Sequence, residues 1–473
     1  MKQRDYIYYD YTKSMCPECL QLVDAKIVFR EDKVWMQKHC KTHGDSEVMI
    51  ADDITYYKNQ RNYNKQSEMP LNFKTKVHYG CPYDCGLCTD HEQHSCLSIV
   101  EITDRCNLSC PTCYANSAPN YGRHRTLEEI ERMLDTIIKN EGEPDVVQIS
   151  GGEPTVHPQF FEIMDLAKSK KAIKHLMLNT NGIRIAKDID FVERLASYMP
   201  DFEIYLQFDS FKKEVLESMR GEDLTEIRRK AIENLNRFNL STTLVVVVQK
   251  NRNEDEIGAI IDYALQQKCV RGVTFQPTQV AGRIDDFEPL EQKITLTEVR
   301  RKIYEQSSIF TPEDLIPVPC NPDALCMAYA IKPPHAETGE PDGNQAFPLT
   351  RYINPEDILN NSRSTIVYEH DERIKEHMTN LFSTGISVDC ASEEGGELEQ
   401  LMCCLPTIQS NTLNYSNLFR VLIMNFIDAY DFDVRIIKRS CAHIVSDTYT
   451  TVPFETMNLL YRDGKINEIR KQL

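Results

Sequence analysis

LSIVEITDRCNLSCPTCY, residues 97–114, is the stretch of sequence that decides the fold. Its apolar, β-branched start predicts a buried strand. Three cysteines follow at once, Cys106, Cys110 and Cys113, in the spacing C-x3-C-x2-C. Three thiolates on one short loop can bind three irons of a 4Fe–4S cluster and leave the fourth iron open to another ligand. We therefore expect a reactive iron–sulfur cluster on this loop, directly after a strand.

A second run, CPYDCGLC, repeats this spacing at Cys81, Cys85 and Cys88, and a fourth cysteine, Cys96, lies nearby. Four cysteines complete a cluster or a metal site, whereas three leave it open for chemistry. The earlier run also follows a polar segment and not a strand. We therefore assign the catalytic cluster to the later run and predict an auxiliary cluster on the four earlier cysteines. The alternative is that one or two of them complete a site in the N-terminal segment.

The N-terminal segment contains CPEC at residues 16–19 and KHCKTHG at residues 38–44, separated by alternating, strand-like sequence. Paired knuckles of this kind are typical of a small metal ribbon. The predicted ligands are Cys16, Cys19, Cys40 and His43. His39 is the alternative to His43 as the fourth metal ligand. The ligand types fit a zinc ion or a rubredoxin-like single iron equally well.

The composition limits the class of protein. The chain has 473 residues, of which 27% are charged and 41% hydrophobic, and its formal net charge is −18. This acidic balance argues against a nucleic-acid partner, because phosphate backbones are bound by clustered Lys and Arg. The polar start and the lack of any apolar stretch of about 18 residues predict a cytoplasmic protein. In that reducing compartment the 17 cysteines are expected to bind metals and not to form disulfides.

From residue 97 onward, short apolar runs alternate with amphipathic helical patterns. This alternation predicts an α/β fold with a partial (βα)6 TIM-like barrel, whose chemistry collects at the carboxyl ends of the strands. The six predicted strands lie at residues 97–102, 145–150, 173–179, 202–208, 242–249 and 272–277. The predicted domains are a metal ribbon at 1–60, an auxiliary-cluster segment at 61–96, the barrel at 97–290 and a C-terminal extension, for an auxiliary cluster and substrate, at 291–473.

Beyond residue 290 the alternation ends and cysteines return. We predict a further auxiliary cluster bound by Cys320, Cys326, Cys441 and a fourth cysteine from the pair Cys403–Cys404. Of this pair, Cys404 is the predicted ligand. A buried free cysteine is the alternative for each distant member. The apolar segment at residues 405–433 predicts either a core helix or a wall that lines a channel for an apolar substrate.

Together these motifs resemble the radical S-adenosylmethionine (radical SAM) superfamily. CPEC…KHCKTHG, GCPYDCGLC…C, ITDRCNLSCPTCYA, ISGGEPTVHP and PVPC…C resemble one subgroup, which contains the class D, pterin-type methyltransferases and the archaeal tetraether synthases. The resemblance implies that S-adenosylmethionine binds the open iron and is cleaved reductively to a 5′-deoxyadenosyl radical. It also implies that the enzyme forms C–C bonds at an unactivated carbon.

Within this subgroup we expect a coupling of lipid chains, because residues 401–430 supply apolar surface for a long substrate. The alternative is a class D-like methyltransferase acting on a pterin or another small molecule, and the alternative of another class is a non-enzymatic iron–sulfur electron carrier. The implied cofactors are S-adenosylmethionine, the catalytic and one or two auxiliary 4Fe–4S clusters, and one zinc or rubredoxin-like iron. The implied partners are an electron donor such as ferredoxin or flavodoxin and, for a lipid substrate, a membrane surface.

The resemblance also implies roles for residues at the strand ends. Gly151, Gly152 and Glu153 resemble the GGE element, whose backbone and acid hold the substrate's ammonium group. The family commonly has an aromatic residue just before the last cysteine, where this chain has Thr112, and Tyr114 just after that cysteine is the candidate adenine contact. Polar residues at later strand ends are costly unless satisfied, which makes them candidate cofactor contacts. They are Asn179, Asn181, Gln207, Asp209, Gln249 and Gln276. A plain turn is the alternative for the two asparagines.

Overall fold

The structure, a computed structural model, describes residues 4–351, 354 and 417–473, apart from residues 66–67, 74, 334, 336–337 and 339. Its N-terminal part is a four-stranded antiparallel sheet in the order β1-β2-β3-β4. The strands are β1 (Ile7–Met15), β2 (Leu22–Arg30), β3 (Lys33–Cys40) and β4 (Gly44–Ala51). Alternate residues of β3 are buried, as one covered face requires, and this sheet has a small core of its own.

The six strands predicted from the alternation all form, and they are neighbours in one sheet. They are β5 (Leu97–Thr103), β7 (Val146–Gly151), β8 (Leu176–Thr180), β9 (Phe202–Gln207), β10 (Thr242–Val248) and β11 (Val270–Pro277). A two-residue strand, β6 (Thr112–Cys113), lies on the loop after β5. Every neighbouring pair in the order β5-β7-β8-β9-β10-β11 is parallel. The predicted fold class is confirmed.

The short helix α1 (Ile54–Asn59) precedes β5. The helices that connect the six parallel strands bury one apolar side against the sheet. They are α2 (Leu127–Glu141), α3 (Phe160–Ser169), α4 (Ile183–Lys187), α5 (Ile189–Ala196), α6 (Lys213–Arg220), α7 (Thr225–Arg237) and α8 (Ile257–Gln266). Two helices follow β11: α9 (Pro289–Gln292), which buries no residue, and α10 (Leu296–Gln306). The N-cap of α2 is Thr126, which forms a capping box with Glu129. None of the helices that the structure describes has the length and apolar composition needed to cross a membrane.

The C-terminal part of the chain extends the sheet beyond both β5 and β11. Its strands are β12 (Arg283–Ile284), β13 (Ile316–Pro317), β14 (Leu325–Ile331), β15 (Phe347–Pro348), β16 (Leu418–Met424), β17 (Ala442–Val445) and β18 (Thr451–Pro453). Its helices are α11 (Val434–Lys438), α12 (Phe454–Thr456) and α13 (Lys465–Arg470). The strand β16 runs parallel to β11, and β17 runs parallel to β5. Eight parallel strands therefore stand side by side, in the order β16-β11-β10-β9-β8-β7-β5-β17.

The apolar segment at 405–433, expected as a core helix or a channel wall, forms the strand β16 over the part that begins at residue 418. Its side chains are buried almost throughout, because β16 lies between β11 and β14 inside the sheet. A strand that is buried on both faces has a continuous apolar sequence, which periodicity does not distinguish from a buried helix. The helix expectation is wrong for residues 418–424.

The two faces of the sheet belong to two different cores. Along β5, Val100 and Ile102 pack with the helices, whereas Leu97 and Ile99 pack on the opposite face with residues of the C-terminal part. Side chains alternate between the faces of a strand, so one strand serves both cores. The loops that follow the parallel strands all leave at the same edge, which positions the candidate site there.

Candidate active site

The three cysteines after β5 line one cavity at the carboxyl ends of the parallel strands. Most of the other predicted site residues line the same cavity: Tyr114, Gly151, Gly152, Glu153, Asn179, Asn181, Gln207 and Gln276. They come from the ends of β5, β7, β8, β9 and β11, as expected for parallel strands. Asp209 and Gln249 are not among the lining residues.

Backbone N–H groups point at two of the three sulfurs. The amide of Leu108 lies 3.4 Å from Cys106 Sγ, and the amide of Ser117 lies 3.4 Å from Cys113 Sγ. Hydrogen bonds to cluster sulfurs stabilise the thiolate form and raise the reduction potential of a bound cluster. Burial outweighs the Leu108 hydrogen bond and raises the pKa of Cys106 to about 12, and it raises the pKa of Cys110 as well, so thiolates on this loop require a bound metal.

The two glycines after β7 let that loop approach the cysteine loop closely. A Cβ on Gly151 would lie 2.3 Å from the carbonyl oxygen of Thr103, and a Cβ on Gly152 would lie 2.3 Å from that of Arg105. Gly152 donates to the Thr103 carbonyl, and Glu153 donates to the Arg105 carbonyl. Only glycine fits two backbones at this separation.

Glu153 is buried and its carboxylate is already hydrogen-bonded within the protein. It accepts from the amide of Thr155 (3.1 Å), the hydroxyl of Thr180 (2.7 Å) and the amide of Asn181 (2.7 Å). Burial raises the pKa of Glu153 above its ordinary value in spite of these donors. The Glu153 side chain therefore joins the loop after β7 to the end of β8 and positions Asn181. The side-chain Nδ2 of Asn181 in turn donates to Asn107 Oδ1 at 2.7 Å.

Asp209, predicted as a cofactor contact, is instead paired with a protein cation. Its carboxylate accepts from Arg220 at 2.7 and 2.8 Å and is fully buried. Burial raises the pKa of Asp209, but the charges of Arg220 and Arg228 outweigh it and leave the pKa below its ordinary value. A buried carboxylate requires such a partner, and α6 supplies one. The prediction for Asp209 is corrected: the arginines face the cavity and the aspartate stands behind them.

Arg228 offers a buried guanidinium with unused donors. It donates to the carbonyl of Asn181, but its Nε and one Nη have no hydrogen-bond partner in the described structure. Burial lowers the pKa of Arg228 to about 10, so it stays charged at neutral pH. Arg228 also lies 3.8 Å from the Asp209 carboxylate, but a buried cation beside a cavity that keeps N–H groups without a hydrogen bond is well suited to bind a second carboxylate. Neither arginine was predicted from sequence, because both lie on helices away from the strand ends.

Arg283 and Gly282 hold the cysteine loop from outside. The strand β12 pairs antiparallel with β6, and a Cβ on Gly282 would lie 2.4 Å from the carbonyl oxygen of Cys113. The guanidinium of Arg283 donates to the carbonyls of Cys110 (2.6 Å) and Ser117 (2.8 Å). The sequence signal for this contact is a glycine directly before an arginine on the loop that follows the sixth predicted strand.

Three aromatic rings form one wall of the cavity. The rings of Tyr114 and Phe454 have centroids 4.9 Å apart, and those of Phe426 and Phe454 have centroids 4.0 Å apart. Arg462 lies 5.7 Å from the centre of the Tyr114 ring and forms an ion pair with buried Glu101 at 2.7 Å. The ring planes are tilted by 60° and 32° in these two pairs, and the C-terminal part of the chain supplies two of the three rings of the apolar wall.

The predicted ribbon ligands meet in space. One ligand atom each from Cys16, Cys19, Cys40 and His43 lies within 4.8 Å of all the others. Nδ1 of His43 lies 3.5 Å from the sulfurs of Cys16 and Cys40. Thiolates around one tetrahedral ion are separated by about 4 Å, so this set fits a single zinc or iron ion. His39 is exposed and pairs with Asp45 at 2.7 Å instead.

Cys81, Cys85 and Cys88 line a separate small cavity, but Cys96 is not part of it. Cys96 lies with Cys320 and Cys441, within 4.8 Å of both. The predicted grouping of Cys96 is therefore corrected. It fails because Cys96 directly precedes β5 and is carried into the core below the sheet, away from the loop before it.

Cys326 does not join Cys320 either, although only five residues separate them. It is buried on β14 in the helix-facing core, whereas Cys320 is in the opposite core. The strand β14 begins between the two cysteines and turns Cys326 to the other face. Its assignment as a ligand is corrected to a core cysteine. Cys403 and Cys404 lie outside the described residues.

Comparison with known proteins identifies the family. The sequence model of the Radical SAM superfamily matches residues 100–264, and that of the HMPTM N-terminal zinc ribbon domain matches residues 8–52. A 7,8-dihydro-6-hydroxymethylpterin dimethyltransferase of Methanocaldococcus jannaschii is 31% identical, over 95% of this chain and 94% of the relative. The chain belongs to the radical SAM superfamily, in the family of this dimethyltransferase. The resemblance inferred from the motifs is confirmed, and with it the assignment as an enzyme.

Other similarities of this radical SAM enzyme are partial. Mycofactocin maturase MftC of Mycolicibacterium smegmatis is 24% identical over 43% of the chain and 50% of the relative. Among solved structures, SuiB of Streptococcus suis bound to S-adenosylmethionine is 20% identical with a TM-score of 0.37, covering 44% of this chain and 46% of that one. Each of these two matches extends over less than half of the chain.

The residues around the cavity fit the cofactors of a radical SAM enzyme. A bound 4Fe–4S cluster supplies the electron that cleaves S-adenosylmethionine to a 5′-deoxyadenosyl radical. The three thiols face the cavity, two of them with N–H groups directed at sulfur, and the Arg228 guanidinium has donors to spare. In the described part of the chain these three thiols do not form a group as compact as the ribbon set. That wider arrangement suits a cluster better than a single ion.

Proposed function

We propose that this radical SAM enzyme methylates a carbon of a pterin, as a class D-like methyltransferase. The observation that carries the proposal is the 31% identity to a pterin dimethyltransferase, which extends over 95% of this chain and 94% of the relative. A shared radical SAM domain alone would not favour any substrate, because the chemistry belongs to the cofactor. Similarity that includes the ribbon and the C-terminal part favours a shared substrate class.

The lining of the cavity supports a pterin over a lipid chain. Five amide side chains line it: Asn179, Asn181, Gln207, Gln276 and Gln279. Each of these amides donates one hydrogen bond within the protein, but a hydrocarbon chain would leave its second N–H without a partner, which is unfavourable in a buried site. A pterin is a flat ring system whose edge alternates hydrogen-bond donors and acceptors, and amides match both. The aromatic wall of Tyr114, Phe426 and Phe454 offers a face for the ring. Lipid coupling, our expectation from the sequence, has no support from the relatives.

In this proposal Cys106, Cys110 and Cys113 bind the catalytic cluster, and Arg228 binds the carboxylate of S-adenosylmethionine. Arg220 forms an ion pair with Asp209 behind the cavity wall, and its guanidinium lines the cavity. The glycine loop at residues 151–152 presents backbone groups to the cofactor, and the amides bind cofactor and pterin. Electrons come from a donor such as ferredoxin or flavodoxin in the cytoplasm. A membrane surface was expected only for a lipid substrate, so we expect no membrane contact if the substrate is a pterin.

The test is an anaerobic reaction with S-adenosylmethionine, dithionite, a deuterated 6-hydroxymethyl-7,8-dihydropterin and a separate methyl donor. The donor, tested in parallel, is either a second equivalent of S-adenosylmethionine or a folate that carries a one-carbon group, because the S-adenosylmethionine that is cleaved keeps its methyl group on methionine. We expect 5′-deoxyadenosine that contains deuterium and a methylated pterin, both detected by mass spectrometry. A variant with alanine at Cys106, Cys110 and Cys113 should give neither product, and Cys269→Ala, which alters a buried core cysteine, should give both. Deuterium that moves only from a labelled lipid or peptide, with no methylated pterin, would contradict the proposal.

A further inference from the structure

Gln279 lines the cavity and was not predicted from sequence. It lies on the loop that follows β11, and its side chain is buried. Its Nε2 donates to the carbonyl oxygen of Ile427 at 3.1 Å, and its Oε1 accepts from Nδ2 of Asn458 at 3.2 Å. The orientation of the Gln279 amide therefore depends on these two partners.

The chemistry of the partners determines which end of each amide is oxygen. A backbone carbonyl only accepts, so the group of Gln279 that faces Ile427 must be Nε2. A guanidinium only donates, so the group of Asn458 that faces Arg462 must be Oδ1, which accepts from Nε at 3.1 Å and from Nη2 at 2.9 Å. The opposite end of Asn458 is then a donor and requires Oε1 of Gln279. Both ends of this chain of hydrogen bonds give Gln279 the same orientation.

The chain of hydrogen bonds ends at a buried ion pair. Arg462 donates to the buried carboxylate of Glu101 at 2.7 and 2.9 Å, which holds the guanidinium in place. If the Gln279 amide turned over, its oxygen would face the Ile427 carbonyl and its N–H groups would face those of Asn458. Unpaired polar groups are costly in a buried site, so the observed orientation is the stable one.

The two loops that hold Gln279 are also fixed to each other. The backbone amide of Val280 donates to the carboxylate of Asp428 at 2.9 Å, and Asp428 forms a buried ion pair with Lys293. Val280 follows Gln279 directly, and Asp428 follows Ile427 directly. The Gln279 side chain therefore has a fixed position as well as a fixed orientation.

One N–H and one lone pair of the Gln279 amide remain after its contacts in the described structure. They belong to neighbouring atoms of one planar group. A cyclic amide presents the complementary pair, an N–H next to a C=O, and in a pterin this pair is N3–H and C4=O. We propose that Gln279 binds the pterin at these two groups, with its N–H at C4=O and its Oε1 at N3–H. This inference rests on the proposed pterin substrate and adds how its ring is recognised.

A fixed amide should discriminate between two ligands of nearly equal shape. In the 4-amino analogue of the pterin, an amino group replaces C4=O and N3 carries no hydrogen, so donor and acceptor exchange places. Gln279, held in one orientation, would then meet a donor with its N–H and an acceptor with its oxygen. Loss of matched polar pairs in a buried site should weaken binding of the analogue by about tenfold or more.

The experiment measures the dissociation constants of 6-hydroxymethyl-7,8-dihydropterin and its 4-amino analogue by anaerobic equilibrium dialysis with the full-length, reconstituted protein. The natural protein should prefer the pterin by about tenfold or more. Asn458→Asp keeps the size of the side chain and the acceptor for Arg462, but it replaces the donor to Gln279 by an acceptor. The preference should then be largely lost. Asn467→Asp, the same change at an exposed position of α13, is the control and should leave both dissociation constants unchanged.

The ratio of the two dissociation constants separates recognition from folding. A structural defect weakens both ligands together, so an unchanged ratio in Asn458→Asp overturns the inference. Equal affinities of the natural protein for the two ligands overturn it too, while a methylated pterin would still support the proposed function. If Asn458→Asp cannot be purified, Gln279→Leu decides: loss of the preference supports the inference, and a retained preference overturns it. A natural protein that neither binds nor methylates the pterin overturns the proposed function and this inference with it.

Discussion

The guanidinium of Arg283 donates to the carbonyl oxygen of Cys110 across 2.6 Å. Two further donors of the same side chain bind the Ser117 carbonyl at 2.8 Å and the Asn116 side chain at 3.2 Å. One residue that follows β11 therefore fixes the loop on both sides of Cys113. Arginine suits this task because its planar fork presents several donors in fixed directions.

We predict that Arg283→Leu loosens the catalytic cysteine loop. Hydrogen bonds to a charged donor contribute about 1.5–3 kcal/mol each, so their loss should lower cluster retention at least tenfold. The measurement is iron and sulfide content after exposure to a chelator, together with the rate of 5′-deoxyadenosine formation. Arg283→Lys keeps the charge without the fork and should be intermediate.

Arg252→Leu is the control for Arg283. Arg252 bonds Ser218 and the Asp286 carbonyl at the surface, and it does not contact the cysteine loop. Its loss should leave iron content and cleavage rate unchanged. Equal behaviour of the two leucine variants would show that the contacts of Arg283 with the loop do not matter.

The second prediction concerns the close approach of two backbones. Gly152→Ala places a Cβ 2.3 Å from the carbonyl oxygen of Arg105, which cannot be relieved by rotating a side chain. Such overpacking typically costs about 1–3 kcal/mol. We expect a lower melting temperature and a loss of S-adenosylmethionine cleavage, because the cysteine loop must move. Gly464→Ala meets no atom closer than 3.8 Å but stands at φ +69°, so it should lower the melting temperature and still retain cleavage, because its strain is remote from the cysteine loop. Normal cleavage by Gly152→Ala would rule out the steric argument.

The parallel sheet and the catalytic loop were predictable because each depends on local pattern. Six apolar runs with helical patterns between them determine the order of the barrel strands, and parallel strands bring their carboxyl ends to one edge. That is why Gln207 and Gln276 could be placed beside Cys106 without a structure.

The remaining errors arise where a contact depends on distant parts of the chain. Asp209 was expected to face the cofactor, but Arg220 approaches from α6 and neutralises it. Cys96 was grouped with Cys88 because they are close in sequence, whereas its neighbours in space are Cys320 and Cys441. Spacing along the chain predicts ligands on one loop and not ligands that separate elements bring together.

A third prediction tests the arginine that faces the cavity with unused donors. Arg228→Met should weaken binding of S-adenosylmethionine by about tenfold or more, since a charged hydrogen bond contributes about 1.5–3 kcal/mol. The measurement is the dissociation constant, from equilibrium dialysis of the reconstituted enzyme. The neighbouring Arg229→Met is the control, because Arg229 is exposed and pairs with Glu226 and Glu233 on α7. Equal affinities of the two variants would remove Arg228 from the cofactor site.

The last prediction is a pH dependence of stability that arises at Lys332. This side chain is fully buried and donates to the carbonyls of Gln267 at 3.2 Å and Val270 at 3.0 Å. Burial is the largest cause that lowers the pKa of Lys332, the charge of Arg271 adds to it and Cys269 opposes it, and together they give a pKa of about 7. The unfolded chain keeps the ordinary lysine pKa of about 10.4. Between these values the unfolded state holds a proton that the folded state has released, so the free energy of unfolding rises with pH.

Lys332→Met removes this titration. The stability of the natural protein relative to Lys332→Met should therefore increase from about pH 7 to about pH 10 and stay constant below pH 7, measured as the difference in melting temperature under anaerobic conditions. Lys268→Met, which alters an exposed lysine paired with Glu340, should differ from the natural protein by an amount that does not change over this window. A difference for Lys332→Met that is constant with pH would mean that Lys332 remains protonated in the folded state.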